Sequence, residues 1–486
     1  MSRGAVLALD VGSSSYKGCL ARTGRVVRRA AVAAPRGAAP GEVLAALRGL
    51  VAELLDGGGR PECAVVTGQM GSHVWVDGDG RAAGDVVPWT DRRDASAQAR
   101  LCAAVDPAAF HRATGQRVPG LAARHAWGAA AGRTGVPVPL RQWLLRVATG
   151  VWGIDPTDAS VTGALDIHEI AWSEAWRLGV PDGSRPPVRD PRAVMGRVTA
   201  EGARALGIPE GVPVLTGAGD GPCASLGARA AGAAEVAEGV EGAGGGGGAV
   251  PGGAGGGDTG GVGCLTLGSS ATLRMVTTGA LLDPGARSTV LAWGGGAYVL
   301  SIPVSNAGFA LEWGRRVLGF GTAEAFEEAA AAGRTDPGVI VLPYVTGERF
   351  PYWSRGLRAG VYGAGEGTDR ATLARSVVVG IACTLLRTLR HARELGADPR
   401  VLMVNGGAAA SGSLLAATAA LLGRDGTEIR TCAAGSLEGA LALGGVRTPR
   451  AAAAPVRPDA GLAADPALAD EIYRRFVDRS DRAAGA

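Results

Sequence analysis

Asp10-Val11-Gly12-Ser13-Ser14-Ser15-Tyr16-Lys17 joins two largely apolar stretches, residues 5–10 and 16–22. Apolar runs of this length interrupted by a Gly/Ser cluster predict strand, turn and strand, and residues 25–34 add a third strand. A carboxylate at a strand end, followed by such a turn, aims backbone N–H groups and hydroxyls at an anion. The Asp can also orient Mg2+ through its waters. The device recurs in the second half. Residues 264–267 read as a strand, Gly268-Ser269-Ser270 as a turn and residues 271–277 as the returning strand. Either turn alone is an ordinary hairpin connection. Together, one per half of the chain, they can clamp the phosphates of one nucleotide, and the echo points to a duplicated architecture.

The rest of the composition agrees with two globular domains. The 486 residues exceed what one hydrophobic core usually organises, and 47% hydrophobic with 19% charged residues suffices for ordinary cores. Bulk disorder and a fibrous class are excluded. Glycine accounts for 80 residues, roughly one in six against a usual ~7%. Lys17 is the only lysine among 49 Lys and Arg, and Asn306 and Asn405 are the only asparagines, a pattern of GC-rich coding bias. The net charge of +4 is small, and the arginines are spread along the chain without zinc-finger spacing or a basic tail, which argues against nucleic acid. Seven cysteines with no CxxC pair read as reduced, buried thiols of a cytoplasmic protein. Residues 1–10 lack the pattern of a signal peptide. The uncharged segment 401–423 holds Asn405, glycine pairs and serines, so it reads as strand, turn and helix rather than a membrane span.

Val43, Leu44, Leu47, Leu50, Val51 and Leu54 recur at helical spacing and predict a helix over 42–55. Residues 63–67 form a short apolar strand leading into Gly68-Gln69-Met70-Gly71, and residues 212–217 form another that ends in Ala218-Gly219-Asp220-Gly221. Residues 231–263 are mostly Gly and Ala, including 244–248 and 255–257, and are expected to be a flexible linker. Beyond it a helix is expected near 307–318, a strand at 339–343, a long helix over 370–395 and a strand at 401–404 before Gly406-Gly407. The resulting plan is an N-terminal domain over 1–230, a Gly-rich insertion over 231–263, a C-terminal domain over 264–446 and a tail with a helix over 447–486.

Asp220, at a strand end among glycines, is placed to accept a proton from a substrate hydroxyl. Trp89-Thr90-Asp91-Arg92-Arg93, after an expected strand at 86–88, offers an aromatic face, an acceptor and paired donors suited to a polyhydroxylated ligand. Gly406-Gly407 lets a flat group such as adenine come close to the backbone. The five histidines show no metal-ligand spacing, and neither a GxSxG elbow nor a GxxxxGK[ST] loop is present.

In this order, these pieces resemble the FGGY family of carbohydrate kinases, of xylulokinase and gluconokinase type, in the actin-like ATPase superfamily. The resemblance covers almost the whole chain. Asp10 to Lys17 and Gly268-Ser269-Ser270 match the two phosphate motifs, and Trp89 to Arg93 matches a W-x-D-x-R element. Asp158-Ala159-Ser160, Asp166 and Trp172 resemble the middle block. Asn306-Ala307-Gly308, with Leu311-Glu312-Trp313, resembles the N-x-G…W block. Gly347-Glu348-Arg349-Phe350-Pro351-Tyr352-Trp353 is the most specific match. The resemblance implies an α/β fold with two actin-like (ribonuclease H-like) domains flanking a central cleft. It implies transfer of the γ-phosphate of ATP to a hydroxyl of a sugar, polyol or sugar acid. Asp220 then stands as catalytic base, and Asp10 as the residue that positions Mg2+ through water. Gly12, Ser13, Ser14, Ser15, Lys17, Gly268, Ser269 and Ser270 fall at the ATP phosphates, and Gly406, Gly407 and Ala408 at the adenosine. Gln69, Met70, Trp89, Asp91 and Arg93 fall, with Asp220, at the substrate. The expected partner is a small carbohydrate rather than nucleic acid or membrane, with a homodimer left open.

The chain departs from the family pattern at several positions. Many pentulose kinases carry a sugar-contacting His after the Gln-Met pair, where Gly71-Ser72 stands here and His73 is displaced. This argues against D-xylulose and leaves other ketoses, polyols or sugar acids such as gluconate. Val379, Ala410, Ala416, Ala420 and Ala434 replace polar residues usual on the nucleotide side. They motivate an alternative, a sugar-binding regulator of the same fold with lost or weak phosphoryl transfer. An actin-like filament protein would share the fold without the blocks at 89–93 and 347–353. The lone lysine carries its own expectation, because a compact ammonium suits a phosphate turn. Lys17→Arg should raise KM for ATP or lower kcat; unchanged values would make Lys17 an accident of composition.

Overall fold

Ala5–Val11 (β1) is buried along its entire length, as a strand covered on both faces must be. A computed structural model describes residues 4–35, 39–57, 59–236, 258–446 and 453–485. Ser15–Arg22 (β2) returns antiparallel to β1 with Asp10 opposite Lys17, and Arg25–Ala33 (β3) pairs with β2. Pro40–Leu55 (α1) buries Val43, Leu47, Leu50, Val51 and Leu54, the apolar stripe its spacing predicts. Cys63–Gly68 (β4) then lies parallel to β1. Val194–Arg197 (β5) and Pro213–Leu215 (β6) complete a six-stranded sheet of order β3-β2-β1-β4-β6-β5.

The second sheet repeats the plan. Asp258–Leu267 (β7), Ala271–Thr277 (β8), Thr289–Gly294 (β9), Ala297–Val304 (β10), Val401–Asn405 (β11), Glu428–Cys432 (β12) and Ala453–Pro455 (β13) are ordered β9-β10-β8-β7-β11-β12-β13. In each sheet the first strand has an antiparallel return on one side and parallel strands on the other. The duplication expected from the two hairpins is therefore present in the strand order.

Each half also sends a helix away from its last parallel strand: Asp220–Val236 (α2) after β6 and Ser436–Leu443 (α3) after β12. The two helices pack backbone to backbone. A Cβ on Gly227 would lie 2.6 Å from the Gly435 carbonyl oxygen, and one on Gly439 would collide with the Cys223 carbonyl. Buried residues of both halves meet there, including Val6, Ala8, Cys223, Leu437, Ala440 and Leu441.

Three expectations change in detail. The expected linker at 231–263 is narrower at both ends, since α2 runs to Val236 and β7 starts at Asp258. Its small residues are packing residues there: Ala231 joins a cluster with Val262 and Cys264, and a Cβ on Gly263 would lie 2.5 Å from Leu402 Cδ2. The glycine runs at 244–248 and 255–257 lie outside the described residues. The expected strand at 86–88 is a single bridge between Val87 and His73. Past residue 452, β13 extends the second sheet, and Pro466–Ala484 buries Ile472 and Phe476 in the core. Arg370–Glu394 is long and apolar enough to cross a membrane, but 89% of its most apolar window is buried inside the protein.

One buried ion cluster anchors the segment before α2. Arg141 is bonded to Asp155, and its Nε donates to Asp158 at 2.8 Å, with all three side chains essentially inaccessible. Its Nη1 also donates to the Thr216 carbonyl at 2.5 Å. Thr157, bonded to Asp155, accepts from Gly219 N at 3.1 Å, and Thr67 donates to the Ala218 carbonyl at 2.8 Å. Gly217 turns at φ +68°, a conformation that favours glycine. Asp220 thus leaves a backbone held on several sides. Arg141→Ala would strand two buried carboxylates and should cost about 3–5 kcal/mol in urea unfolding. A loss below about 1 kcal/mol would show that the cluster does not anchor the segment.

Candidate active site

A cleft of about 700 Å³ lies between the halves. Asp10 enters from the end of β1 and Lys17 from β2, while Asp220 enters at the start of α2. Facing them are Thr266 of β7, Arg274 of β8, Asn405 of β11, and the Ala433 to Ser436 segment leading into α3.

The two carboxylates are the chemical centre of this cleft. Asp220 has its pKa pushed up to about 6, first by desolvation and then by the like charge of Asp10, with partial relief from Arg274. Gly221 N donates to Asp220 Oδ1 at 2.8 Å and fixes its rotamer. Asp10 is raised by burial and partly offset by a hydrogen bond from Ser436. That bond, 2.6 Å from Ser436 Oγ to Asp10 Oδ2, links the two halves. The other oxygen, Asp10 Oδ1, is buried with no hydrogen-bond partner. A buried, unpaired carboxylate oxygen is costly unless something comes to meet it.

The expected phosphate turns adopt the expected local geometry. Gly12 has no room for a side chain, because a Cβ would lie 2.8 Å from the Ser15 carbonyl, and Ser13 and Ser14 are exposed at the turn. In the second turn, Gly268 N donates to Ser270 O at 2.8 Å. Its carbonyls are capped by the helix Gly308–Val317: Gly308 N donates to Gly268 O at 3.0 Å and Phe309 N to Ser269 O at 2.9 Å. Neither turn lines the 700 Å³ cavity itself; Asp10, Lys17, Asp220 and Gly406 do. Of the expected adenosine residues, Gly406 adopts φ +100° with its Cα against the Leu267 backbone, whereas Gly407 and Ala408 lie off the cavity wall and Ala409 and Ala410 on it. Ala410 and Ala434 therefore border the cavity, while Val379 and Ala420 are core residues and Ala416 lies off the cavity.

The expected substrate residues form a connected line on the first half. Gln69 Nε2 donates to Gly12 O at 3.4 Å, Ser72 Oγ to Gln69 Oε1 at 3.0 Å, and Trp89 N to Ser72 Oγ at 3.0 Å. Met70 packs on Gly219, next to Asp220, and Trp89 keeps an exposed face. Asp91 and Arg93 are paired with each other at 2.5 Å, and Arg93 stacks on Trp127. His73, displaced from the position of the family's sugar-contacting His, is a buried strand residue whose pKa burial pushes down to about 3.

Both asparagines are structural. Asn306 donates to Gly347 O at 2.6 Å and to Glu348 Oε2 at 3.1 Å, while its oxygen accepts from Thr346 N at 3.1 Å. Glu348, pushed up to about 7 by burial, also accepts from Ser305 N and Arg349 N. This network holds the 347–353 block against the end of β10. Asn405 ties the cleft floor to the Ala434 carbonyl at 3.1 Å. The sequence reading missed Arg141, Arg274 and Ser436. A charged residue in the otherwise apolar and hydroxyl-bearing β8 was the available signal for Arg274.

Comparison with known proteins follows this geometry. The model of the FGGY family of carbohydrate kinases, N-terminal domain, matches residues 132–227, and that of its C-terminal domain matches residues 263–448. A glycerol kinase of Thermus brockianus is 30% identical over 378 residues, covering 72% of this chain and 68% of that protein. A glycerol kinase of Aromatoleum aromaticum is 29% identical with the same coverage. Among solved structures, a xylulose kinase from Lactobacillus acidophilus superposes with TM-score 0.84 at 19% identity, covering 99% of this chain and 98% of that one. A gluconate kinase from the same organism gives TM-score 0.82 at 19% identity and the same coverage. The structural likenesses establish the two-domain actin-like fold, and the sequence matches establish kinship. The chain belongs to the FGGY family of carbohydrate kinases.

Proposed function

We propose that this kinase phosphorylates a ketose, polyol or sugar acid with Asp220 as general base and Asp10 as the anchor of Mg2+. The observation that supports this most is the pair of carboxylates facing one cleft, one raised to about 6 and the other with a buried, unpaired oxygen. A base with that pKa is largely ionised at neutral pH yet still able to accept a hydroxyl proton in the transition state.

The residues present fit Mg2+. Asp10 Oδ1 is a hard oxygen donor, and no cluster of three or more His, Cys, Asp or Glu that could hold a metal exists among the described residues. A cation held by one carboxylate, waters and nucleotide phosphates is the usual Mg2+ arrangement. When bound, Mg2+ neutralises charge on the phosphate oxygens. Lys17, the N–H groups and hydroxyls of Gly12 to Ser15 and the hydroxyls of Ser269 and Ser270 orient the phosphates. Gln69, Met70 and the open face of Trp89 seat the carbohydrate beside Asp220. Phosphoryl transfer depends chiefly on such positioning and charge stabilisation.

A coupled ADP-release assay over pentuloses, hexuloses, polyols and aldonates tests the proposal. At least one of them should drive ADP formation, and Asp220→Asn should lower kcat by about 10²–10⁴-fold. Near-normal turnover in that variant would remove Asp220 from the role of base. Carbohydrate binding without ADP formation would instead identify the chain as a regulator of the same fold, which the small Ala410 and Ala434 at the cleft wall would suit. The pH profile is a further test. The ionised form of Asp220 is the active one, so kcat/KM should fall tenfold per pH unit below about 6. In Asp220→Asn the residual activity should lose that limb.

A further inference from the structure

Arg274 has no role in the phosphate, adenosine or substrate motifs. It lies on β8, pairs in register with Cys264 and lines the cleft with Asp10, Lys17 and Asp220. Its guanidinium rests on the bare Cα of Gly221, where a Cβ would come 2.6 Å from Arg274 Cζ. Among the described residues its one hydrogen bond is a long one, 3.4 Å from Nη1 to Thr266 Oγ1, and its Nε is buried without a partner. Among the described residues it forms no ion pair, although Asp220 feels its charge. Arg349 lies close enough to feel its like charge, a smaller effect there than burial and the Glu348 carboxylate. A guanidinium with free donors, facing the cleft beside the base, is unsatisfied until an anion arrives.

We infer that Arg274 binds the transferring γ-phosphoryl group of ATP. The inference rests on the kinase reading above. The substrate hydroxyl oxygen forms a bond to Pγ as the bond from Pγ to the β,γ-bridging oxygen breaks. The bond electrons leave with ADP, and the hydroxyl proton passes to Asp220. Arg274 exchanges no proton; its N–H groups donate to the non-bridging oxygens of the phosphoryl in flight, where charge is spread. Supplied by β8 of the second half, it meets a base supplied by the first half.

Arg274→Met and Arg274→Lys test this in the full chain, with thermal melts to verify folding. Arg274→Met should lower kcat by about 10³-fold while the carbohydrate KM stays within about twofold, and Arg274→Lys should lose less. Calorimetry without carbohydrate supplies a reading independent of turnover. ATP affinity should fall at least about tenfold in Arg274→Met, and ADP affinity should stay unchanged. Unchanged kcat, equal weakening of ATP and ADP, or a selective rise in carbohydrate KM would each overturn the assignment. If Arg274→Met does not fold, the same comparisons on Arg274→Lys decide. Absence of ADP formation in the wild type would sink the kinase reading, and the ATP-against-ADP comparison would still judge Arg274.

Discussion

Arg141 between Asp155 and Asp158 is the constraint on which the site depends. A guanidinium buried in a protein interior must have its charge and its donors satisfied, and here two carboxylates and the Thr216 carbonyl do so. The cluster is not chiefly a source of stability, since buried ion pairs give back much of their attraction in lost hydration. Its use is geometric. Through Thr157 and Thr216 it holds the segment that turns at Gly217 and delivers Asp220 to the cleft. The same region reaches the second half, where Ser160 Oγ accepts from Ala292 N at 3.0 Å. A carboxylate presented to a cleft in one fixed geometry needs this kind of over-determined support.

The cleft proper has the opposite character. Asp10 and Arg274 face it with an unpartnered oxygen and nitrogen, beside Asp220, whose pKa is raised. Polar groups in that state are costly in an empty site and become favourable contacts when a ligand of matching charge fills it. The Ser436 to Asp10 bond, the glycine crossing of α2 and α3 and the Ala292 to Ser160 bond all join the halves. Small residues at that crossing let the two helix backbones approach closely, with no room for a side chain at Gly227 or Gly439.

Much of the fold was legible from the chain. The hairpins at 5–22 and 264–277, the α1 stripe and the long helix after Arg370 follow from apolar spacing and Gly/Ser turns, which are local signals. The long helix also shows how such a signal can be ambiguous: its composition would suit a bilayer, and only its surroundings show it to be a core helix. The Gly-rich stretch misled at both ends, because Ala and Gly that look like linker in isolation are what tight packing against Leu402 and Cys264 requires. In the candidate site, Asp10, Lys17, Asp220 and Gly406 could be placed from motif order. Asp91 and Arg93 look equally functional in sequence; in the structure they pair with each other while Arg93 stays largely exposed.

Taken alone, the sequence determined the duplicated strand, turn and strand plan, the two carboxylates at strand ends and the kinship they carry. These are properties of short segments, where side-chain period and turn chemistry act within a few residues. Tertiary structure decided which charges are free and which are spent. Arg141 and Arg274 are both arginines among apolar neighbours. One is neutralised by carboxylates 14 and 17 residues away, while the other has no ion pair among the described residues and lies beside Asp220, supplied from the other half. Electrostatic energy depends on distance and burial in space, and sequence spacing carries neither.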